Sequence, residues 1–100
     1  STVSEDQLAV DEKMIRLHSQ KFWLYSAVDL CTNEILHMSY LTANKQTTRW
    51  FLTELHQRYQ LNNVEFLVDD ANYLRSVLAE DGYRFQVIQH GNRNAIERIF

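Results

Sequence analysis

The sequence contains no proline, only two glycines and a single cysteine in 100 residues. So little glycine and proline argues against low-complexity linkers and disordered segments. Cys31 has no partner with which to form an internal disulfide, which favours a reduced, cytoplasmic setting. Long apolar runs are missing too. Stretches such as "FWLY" at 22–25 are far shorter than the roughly 20 apolar residues of a membrane helix, so we expect no membrane partner.

The composition is that of one globular domain. Hydrophobic residues make up 45% of the chain and aromatic residues 12%, which is enough for a core. The formal net charge of −3 is not the basic signature of a nucleic-acid-binding domain. It is compatible with a site whose acidic side chains hold metal ions. We expect residues 1–7 to be a frayed N-terminus or a cloning remnant, and residues 8–100 to form one domain.

The spacing of apolar residues predicts a strand-rich first part and an alternating second part. Short connections, one with Asn33 suited to a left-handed backbone, favour an antiparallel meander of the first three strands. Asn44 is a plausible N-cap of the first helix and Gly82 follows the second. Trp23 and Trp50 are expected in the core. The predicted elements are strands at 8–18, 22–29, 34–41, 64–68 and 83–88, and helices at 45–61, 71–81 and 92–100. The order β-β-β-α-β-α-β-α predicts an α/β fold with a five-stranded mixed sheet and helices packed on it.

Two adjacent acids follow the fourth predicted strand. Asp70 directly precedes a helix and can cap it. Asp69 ends a strand that is apolar on both faces, and sites in open α/β sheets gather at the carboxyl ends of strands. Asp11 lies in the first strand, which the predicted order allows to lie parallel to the fourth. Asp11 and Asp69 would then be neighbours, and paired carboxylates suit Mg²⁺ or Mn²⁺.

A third acid, Glu97, flanks the apolar stripe of the last predicted helix. It can reach back over the sheet edge toward Asp69. It can equally form a variant capping box with Asn94. The spacing of the acids alone leaves both interpretations open.

Four segments together resemble a known family: "AVDEKMI", "FWLYSAVD", "FLVDDANYL" and "GYRFQVIQHGNRNAIERIF". They are similar to the catalytic core of DDE transposases of bacterial and archaeal insertion sequences, an integrase-like core with a ribonuclease H-like fold. The resemblance covers about residues 8–100 and implies that Asp11, Asp69 and Glu97 are the catalytic, metal-binding residues. Asp29 matches a recurrent but non-catalytic position and is expected to form a turn.

The resemblance implies a two-metal polynucleotidyl transferase. Two Mg²⁺ or Mn²⁺ ions would support DNA strand cleavage and strand transfer during transposition of an insertion sequence. Transposon ends and target DNA would be the partners, bound by a homodimer or higher assembly. Arg93, Arg98 and His90 are candidate DNA contacts, although ordinary surface charge explains them as well. The remaining histidines, His18, His37 and His56, show no metal-ligand spacing.

Other functions remain open. Related transposase cores continue the last helix, so this core is expected to be truncated there. The chain is then alternatively a non-catalytic transposase remnant that acts as a dimerisation or regulatory module. Another ribonuclease H-like nuclease, acting on RNA–DNA hybrids or junctions, is the third possibility.

Overall fold

Strands and helices follow one another in the predicted order throughout the described part of the chain, residues 6–69 and 72–88 of the computed structural model. Its elements are β1 (Asp6–Leu17), β2 (Gln20–Asp29), β3 (Ile35–Tyr40), α1 (Lys45–His56), a 3₁₀ helix (Leu61–Asn63), β4 (Val64–Val68), α2 (Asn72–Glu80) and β5 (Arg84–Val87). β1 thus begins two residues before the predicted strand. The helix predicted at 92–100 lies outside the described residues.

The five strands form one mixed sheet in the order β3-β2-β1-β4-β5. β1 pairs antiparallel with β2, and β2 pairs antiparallel with β3. β1 pairs parallel with β4, and β4 pairs parallel with β5. The chain therefore builds the sheet outward from β1 on one side and then on the other, which makes the β1–β4 boundary the point where the strand order switches.

Local turn chemistry explains the two strand connections. His18 and Ser19 both have positive φ, at 52° and 67°, as a two-residue hairpin loop of type I′ requires. At the end of β2 the Asp29 carboxylate accepts hydrogen bonds from the amides of Cys31, at 2.8 Å, and Thr32, at 3.4 Å. Asn33 follows with φ 64°. The expected turn-forming role of Asp29 and the left-handed Asn33 are confirmed.

The core lies on one face of the sheet, beneath α1 and α2. Strand residues of alternating position supply one side and the two helices the other: Leu8, Val10, Tyr25, Ala27, Val64, Phe66, Val68, Phe51, Leu52, Leu55, Leu74, Val77 and Leu78. Burial of such a side chain stabilises the fold by about 1.5–3 kcal/mol. On the opposite face Ala9, Val28 and Leu67 are also buried, at 0%, 0% and 8% exposure. The centre of the sheet is therefore shielded on both faces.

One residue of α1 differs from expectation. Phe51, Leu52 and Leu55 are buried, but Trp50 is 52% exposed and packs its ring against Tyr40 at 6.2 Å. Successive helix positions turn by about 100°, so Trp50 lies off the i, i+3, i+4 stripe of its neighbours. The expectation that Trp50 is a core residue is wrong. Trp23 packs against the core as expected, partly buried.

Within residues 6–69 and 72–88, neither α1 nor α2 has the length and apolar character needed to cross a membrane.

Candidate metal centre

The parallel pairing of β1 and β4 brings two of the predicted site residues together. Its register pairs Ala9 with Leu67. Extended by two residues beyond this last observed pair, the register places Asp11 opposite Asp69 on the face of Ala9 and Leu67, because side chains alternate along a strand. β4 ends at Val68, so Asp69 stands at its carboxyl end while β1 continues past it. The predicted neighbourhood of Asp11 and Asp69 therefore agrees with the observed topology.

Both aspartates are partly shielded from solvent on the two inner strands or directly after them. Each is partly buried, and one carboxylate oxygen of Asp69, Oδ1, is inaccessible to solvent. Asp11 Oδ1 accepts a hydrogen bond from the backbone amide of Glu12 at 2.9 Å. Ala9 and Leu67, two residues earlier along each chain, are buried. The carboxylates thus lie in partly buried surroundings that strengthen electrostatic interactions.

Glu12 is an acid of this region that the sequence analysis did not single out. It pairs with Tyr25 in the β1–β2 register and so faces the core side of the sheet. Both of its carboxylate oxygens are buried, and neither has a hydrogen-bond partner among the described residues. The Tyr25 hydroxyl approaches Glu12 but makes its hydrogen bonds with Thr47, at 3.0 Å, and Thr48, at 2.9 Å. A buried acid without a full partner is costly, and a bound cation would offset that cost.

The pKa of the Glu12 carboxyl depends on its burial and on its neighbours. Burial raises the pKa of the Glu12 carboxyl, the nearby phenol of Tyr25 lowers it in part, and the negative charges of Asp11 and Asp69 raise it further. Burial also raises the pKa of Tyr25 to about 12, so this phenol stays protonated at neutral pH. The charges of both aspartates therefore act on the Glu12 carboxyl.

A small cleft opens beside Asp11 on the face away from α1. It has a volume of about 30 Å³ and is lined by Asp11, Lys13, Leu24, Ser26 and His37. The Ser26 hydroxyl and His37 Nδ1 are 2.7 Å apart. These side chains share a face because Asp11 pairs with Ser26, and Ser26 pairs with His37, across β1, β2 and β3.

Glu97, Arg93, Arg98 and His90 lie outside the described residues, as does the capping candidate Asp70. Among residues 6–69 and 72–88, no three histidine, cysteine, aspartate or glutamate side chains are grouped so that they could hold a metal ion. Within that part of the chain the candidate centre consists of Asp11 and Asp69, with Glu12 beside them.

Two larger clefts lie elsewhere. One, of about 260 Å³, lies between α1 and the segment after α2 and includes Arg49 and Tyr83. The other, of about 400 Å³, includes Leu61 and Arg84. Both contain residues that precede β5, at the end of the parallel strands opposite to Asp69. Ligands of open α/β sheets bind at the carboxyl ends of strands near a switch point, so the acids mark the better candidate despite the smaller cleft.

The donor set suits a hard divalent cation. Carboxylate oxygens are the ligands that Mg²⁺ and Mn²⁺ prefer, and two carboxylates held side by side repel each other unless a cation lies between them. The solvent-inaccessible oxygens of Glu12 and Asp69 add to the negative potential of the region. The chemistry of the two aspartates therefore fits the metal that the sequence resemblance implies, and the third acid of that resemblance, Glu97, lies outside the described residues.

Comparisons with known proteins identify the fold. No family model matches the chain, and no curated protein matches it. Among solved structures, a chain of the simian T-cell lymphotropic virus intasome in complex with PP2A regulatory subunit B56 gamma superposes with a TM-score of 0.68 at 11% identity. The match covers 96% of this chain and 37% of that one.

The HTLV-2 integrase catalytic core domain in complex with magnesium matches in two forms. The dimeric form has a TM-score of 0.61 at 10% identity, covering 97% of this chain and 70% of that one. The trimeric form has a TM-score of 0.58 at 11% identity, covering 95% and 66%. At such low identity the likeness concerns the fold, and it confirms the predicted α/β architecture: the five-stranded mixed sheet of this chain has the ribonuclease H-like fold of an integrase catalytic core.

Proposed function

We propose that residues 8–100 are the catalytic core of a DDE transposase of the insertion-sequence type, which cuts DNA strands and transfers them to a target. The observation that carries this proposal is the parallel register of β1 and β4, in which Ala9 pairs with Leu67 two residues before Asp11 and Asp69. The integrase-like fold supports a polynucleotidyl transferase. The sequence segments that contain the three acids support the transposase assignment.

In this proposal Asp11, Asp69 and Glu97 hold two Mg²⁺ or Mn²⁺ ions. When bound, the ions supply Lewis-acid stabilisation of the phosphoryl group and activation of a water or 3′ hydroxyl. β1 and β4 hold the two aspartates on one face through the hydrogen bonds of the sheet. Ala9 and Leu67, which are buried two residues before the aspartates, keep water away from that side of the carboxylates. No serine or tyrosine nucleophile is required, because the attacking group comes from water or DNA.

The partners follow from the same proposal. DNA ends and target DNA are the substrates, and Arg93, Arg98 and His90, close to Glu97 in sequence, contact their phosphates. The chain works as a homodimer or higher assembly on paired ends, in the cytoplasm. The structural neighbours are described as dimeric and trimeric forms and as part of an intasome, which supports assembly of this kind.

Calorimetric titration with MnCl₂ tests the metal centre. Wild type is compared with Asp11→Asn and Asp69→Asn, which keep side-chain size and remove the charge. We expect Mn²⁺ affinity to fall at least about tenfold in each variant, equivalent to 1.4 kcal/mol. Glu34→Gln, an exposed acid between β2 and β3, serves as the matched control and should bind as wild type does. Equal heats in all four proteins would refute the metal centre and favour the non-catalytic remnant.

A cleavage assay separates the transposase from a ribonuclease H-like nuclease. The protein is offered a duplex carrying the element's DNA ends and an RNA–DNA hybrid, each with MnCl₂. The proposal expects nicking at the DNA ends that Asp69→Asn abolishes. Cutting of the hybrid alone would replace the transposase by the nuclease.

A further inference from the structure

The cleft beside Asp11 contains two groups suited to bind an anion next to the proposed metal centre. Lys13 and His37 are exposed, whereas Ser26 between them is buried, at 5% exposure. All three share a sheet face with Asp11, since Asp11, Ser26 and His37 are cross-strand partners and Lys13 lies two residues along β1. A lysine and a histidine thus flank the acid that the proposed function assigns to metal binding.

Ser26 fixes the position of the imidazole. Its hydroxyl is 2.7 Å from Nδ1 of His37. When the Ser26 hydroxyl donates to Nδ1, the neutral ring carries its proton on Nε2, and the protonated ring carries one there as well, so that Nε2–H can donate to a phosphate oxygen. An exposed histidine would otherwise sample several rotamers, and anchoring it reduces the entropy lost when it binds a ligand.

The ammonium group of Lys13 is equally available. Lys45 and Arg49 form ion pairs from α1, whereas Lys13 forms none within residues 6–69 and 72–88. Lys13 and His37 do not suit a second metal site, because the ammonium group of a lysine repels cations. They suit a phosphate, which a strand of DNA presents at every nucleotide.

We infer that Lys13 and His37 form a phosphate-binding subsite for the DNA strand that enters the Asp11–Asp69 centre, with Ser26 acting as a positioning residue for the imidazole. This inference builds on the proposed function. The subsite contacts a phosphate of the backbone and not a base, so it positions the strand without reading its sequence.

The proton NMR signals of the histidine rings provide the test, since the chain has only four histidines and His→Gln variants assign them. A single-stranded DNA 12-mer is titrated into the protein in MgCl₂ at low salt. We expect the His37 ring signals to shift and saturate, while those of His56, exposed on α1, stay in place. Lys13→Gln should weaken binding several-fold and reduce the slope of log affinity against log salt by about 0.7, the value for one single-strand phosphate contact.

Three single variants and one double variant test the roles of His37 and Ser26. His37→Gln should weaken binding, and His56→Gln should not. Ser26→Ala keeps the imidazole but removes its anchor, so binding should weaken while His37→Gln adds little more in the double variant. Circular dichroism verifies that each variant is folded. A His37 signal that moves no more than that of His56, or an unchanged salt slope in Lys13→Gln, would overturn the subsite.

The Asp11→Asn variant keeps the two proposals distinguishable. It removes a proposed metal ligand and leaves Lys13, Ser26 and His37 intact, so the His37 shift should persist in it. If the His37 shift is absent while wild type still binds Mn²⁺, the subsite fails and the metal centre stands. If the shift is present and no Mn²⁺ binds, the subsite is supported and the transposase core is refuted.

Discussion

At the scale of single residues, Glu12 makes the stability of the metal-free protein depend on pH. Burial, and then the charges of Asp11 and Asp69, raise its pKa in the folded state above the ordinary value of 4.5. Below that value the carboxyl is protonated in both folded and unfolded protein and has no effect on their balance. As pH rises through the folded-state pKa, the ionised form becomes a cost of folding.

We therefore expect Glu12→Gln to melt at a higher temperature than wild type at pH 8 in EDTA, because the amide has no charge to bury. The difference should disappear as the pH is lowered toward 4.5. Thermal unfolding followed by circular dichroism across this range measures it, with the exposed Glu34→Gln as control. A variant less stable than wild type at pH 8 would mean that the ionised carboxylate has a favourable partner instead.

At the scale of elements, the first turn of α1 is held by a reciprocal pair of hydrogen bonds. The Asn44 side chain accepts from the Thr47 amide at 2.8 Å, and the Thr47 hydroxyl accepts from the Asn44 amide at 2.9 Å. This capping box satisfies two amides that a helix start would otherwise leave without partners. It also fixes Thr47 and Thr48 where they meet the Tyr25 hydroxyl.

Asn44→Ala should therefore lower the free energy of unfolding by about 1 kcal/mol, within the 0.5–2 kcal/mol typical of lost N-caps. Urea denaturation measures the change, and the slope with urea should stay that of wild type. Asn62→Ala is the control, since Asn62 is exposed in the 3₁₀ helix and caps nothing. A loss equal in both variants would show that the cap contributes nothing specific.

The sequence predicts these elements well wherever local chemistry decides them. Asn44 is a cap and Asn33 a left-handed turn residue because their side chains act on neighbouring backbone. The pairing of β1 with β4 was predictable because short loops first bind β1, β2 and β3 into a meander. That arrangement leaves the other edge of β1 for the next strand, and it brings Asp11 to Asp69.

Features that depend on distant packing were harder to predict. Leu8, Val10 and Glu12 occupy alternate positions, so the pattern does indicate that an acid faces the core side. Its burial depends on where β4 ends and on Tyr25 across the sheet, neither of which the local sequence around Glu12 reveals. The cleft at Ser26 and His37 likewise exists only through the pairing of three strands, and spacing along the chain does not bring these residues together. Trp50 was expected in the core, whereas its helical position turns it outward.

At the scale of the whole molecule, charged side chains cluster in two regions. Acids gather near the end of β4, at the candidate metal centre. Away from it, side chains of both signs tie the two helices together. From α1, Arg49 binds Asp81 through two nitrogens, at 2.9 and 3.0 Å, and Glu80 at 2.9 Å, while Lys45 pairs with Glu80. These contacts link elements more than 30 residues apart in sequence, so they act on the tertiary arrangement and not on either helix alone.

This cluster should contribute to stability at neutral pH and lose its contribution in acid. Hydrogen bonds from Lys45 and Arg49 lower the pKa of Glu80, and those from Arg49 lower the pKa of Asp81. Acids whose pKa is lower in the folded state stabilise it above their unfolded-state pKa, and that stabilisation disappears as pH falls through the folded-state pKa. Arg49→Gln should therefore melt below wild type at pH 7, and the two melting temperatures should converge as the pH is lowered past the ordinary carboxylate pKa values of 3.8 and 4.5.

Because the partners are largely exposed, 1 M NaCl should also reduce the difference in melting temperature between Arg49→Gln and wild type. Arg58→Gln, which removes an exposed arginine just beyond α1, controls for net charge. A gap that persists unchanged in acid and in high salt would show that Arg49 acts through the packing of its aliphatic stem and not through its charge.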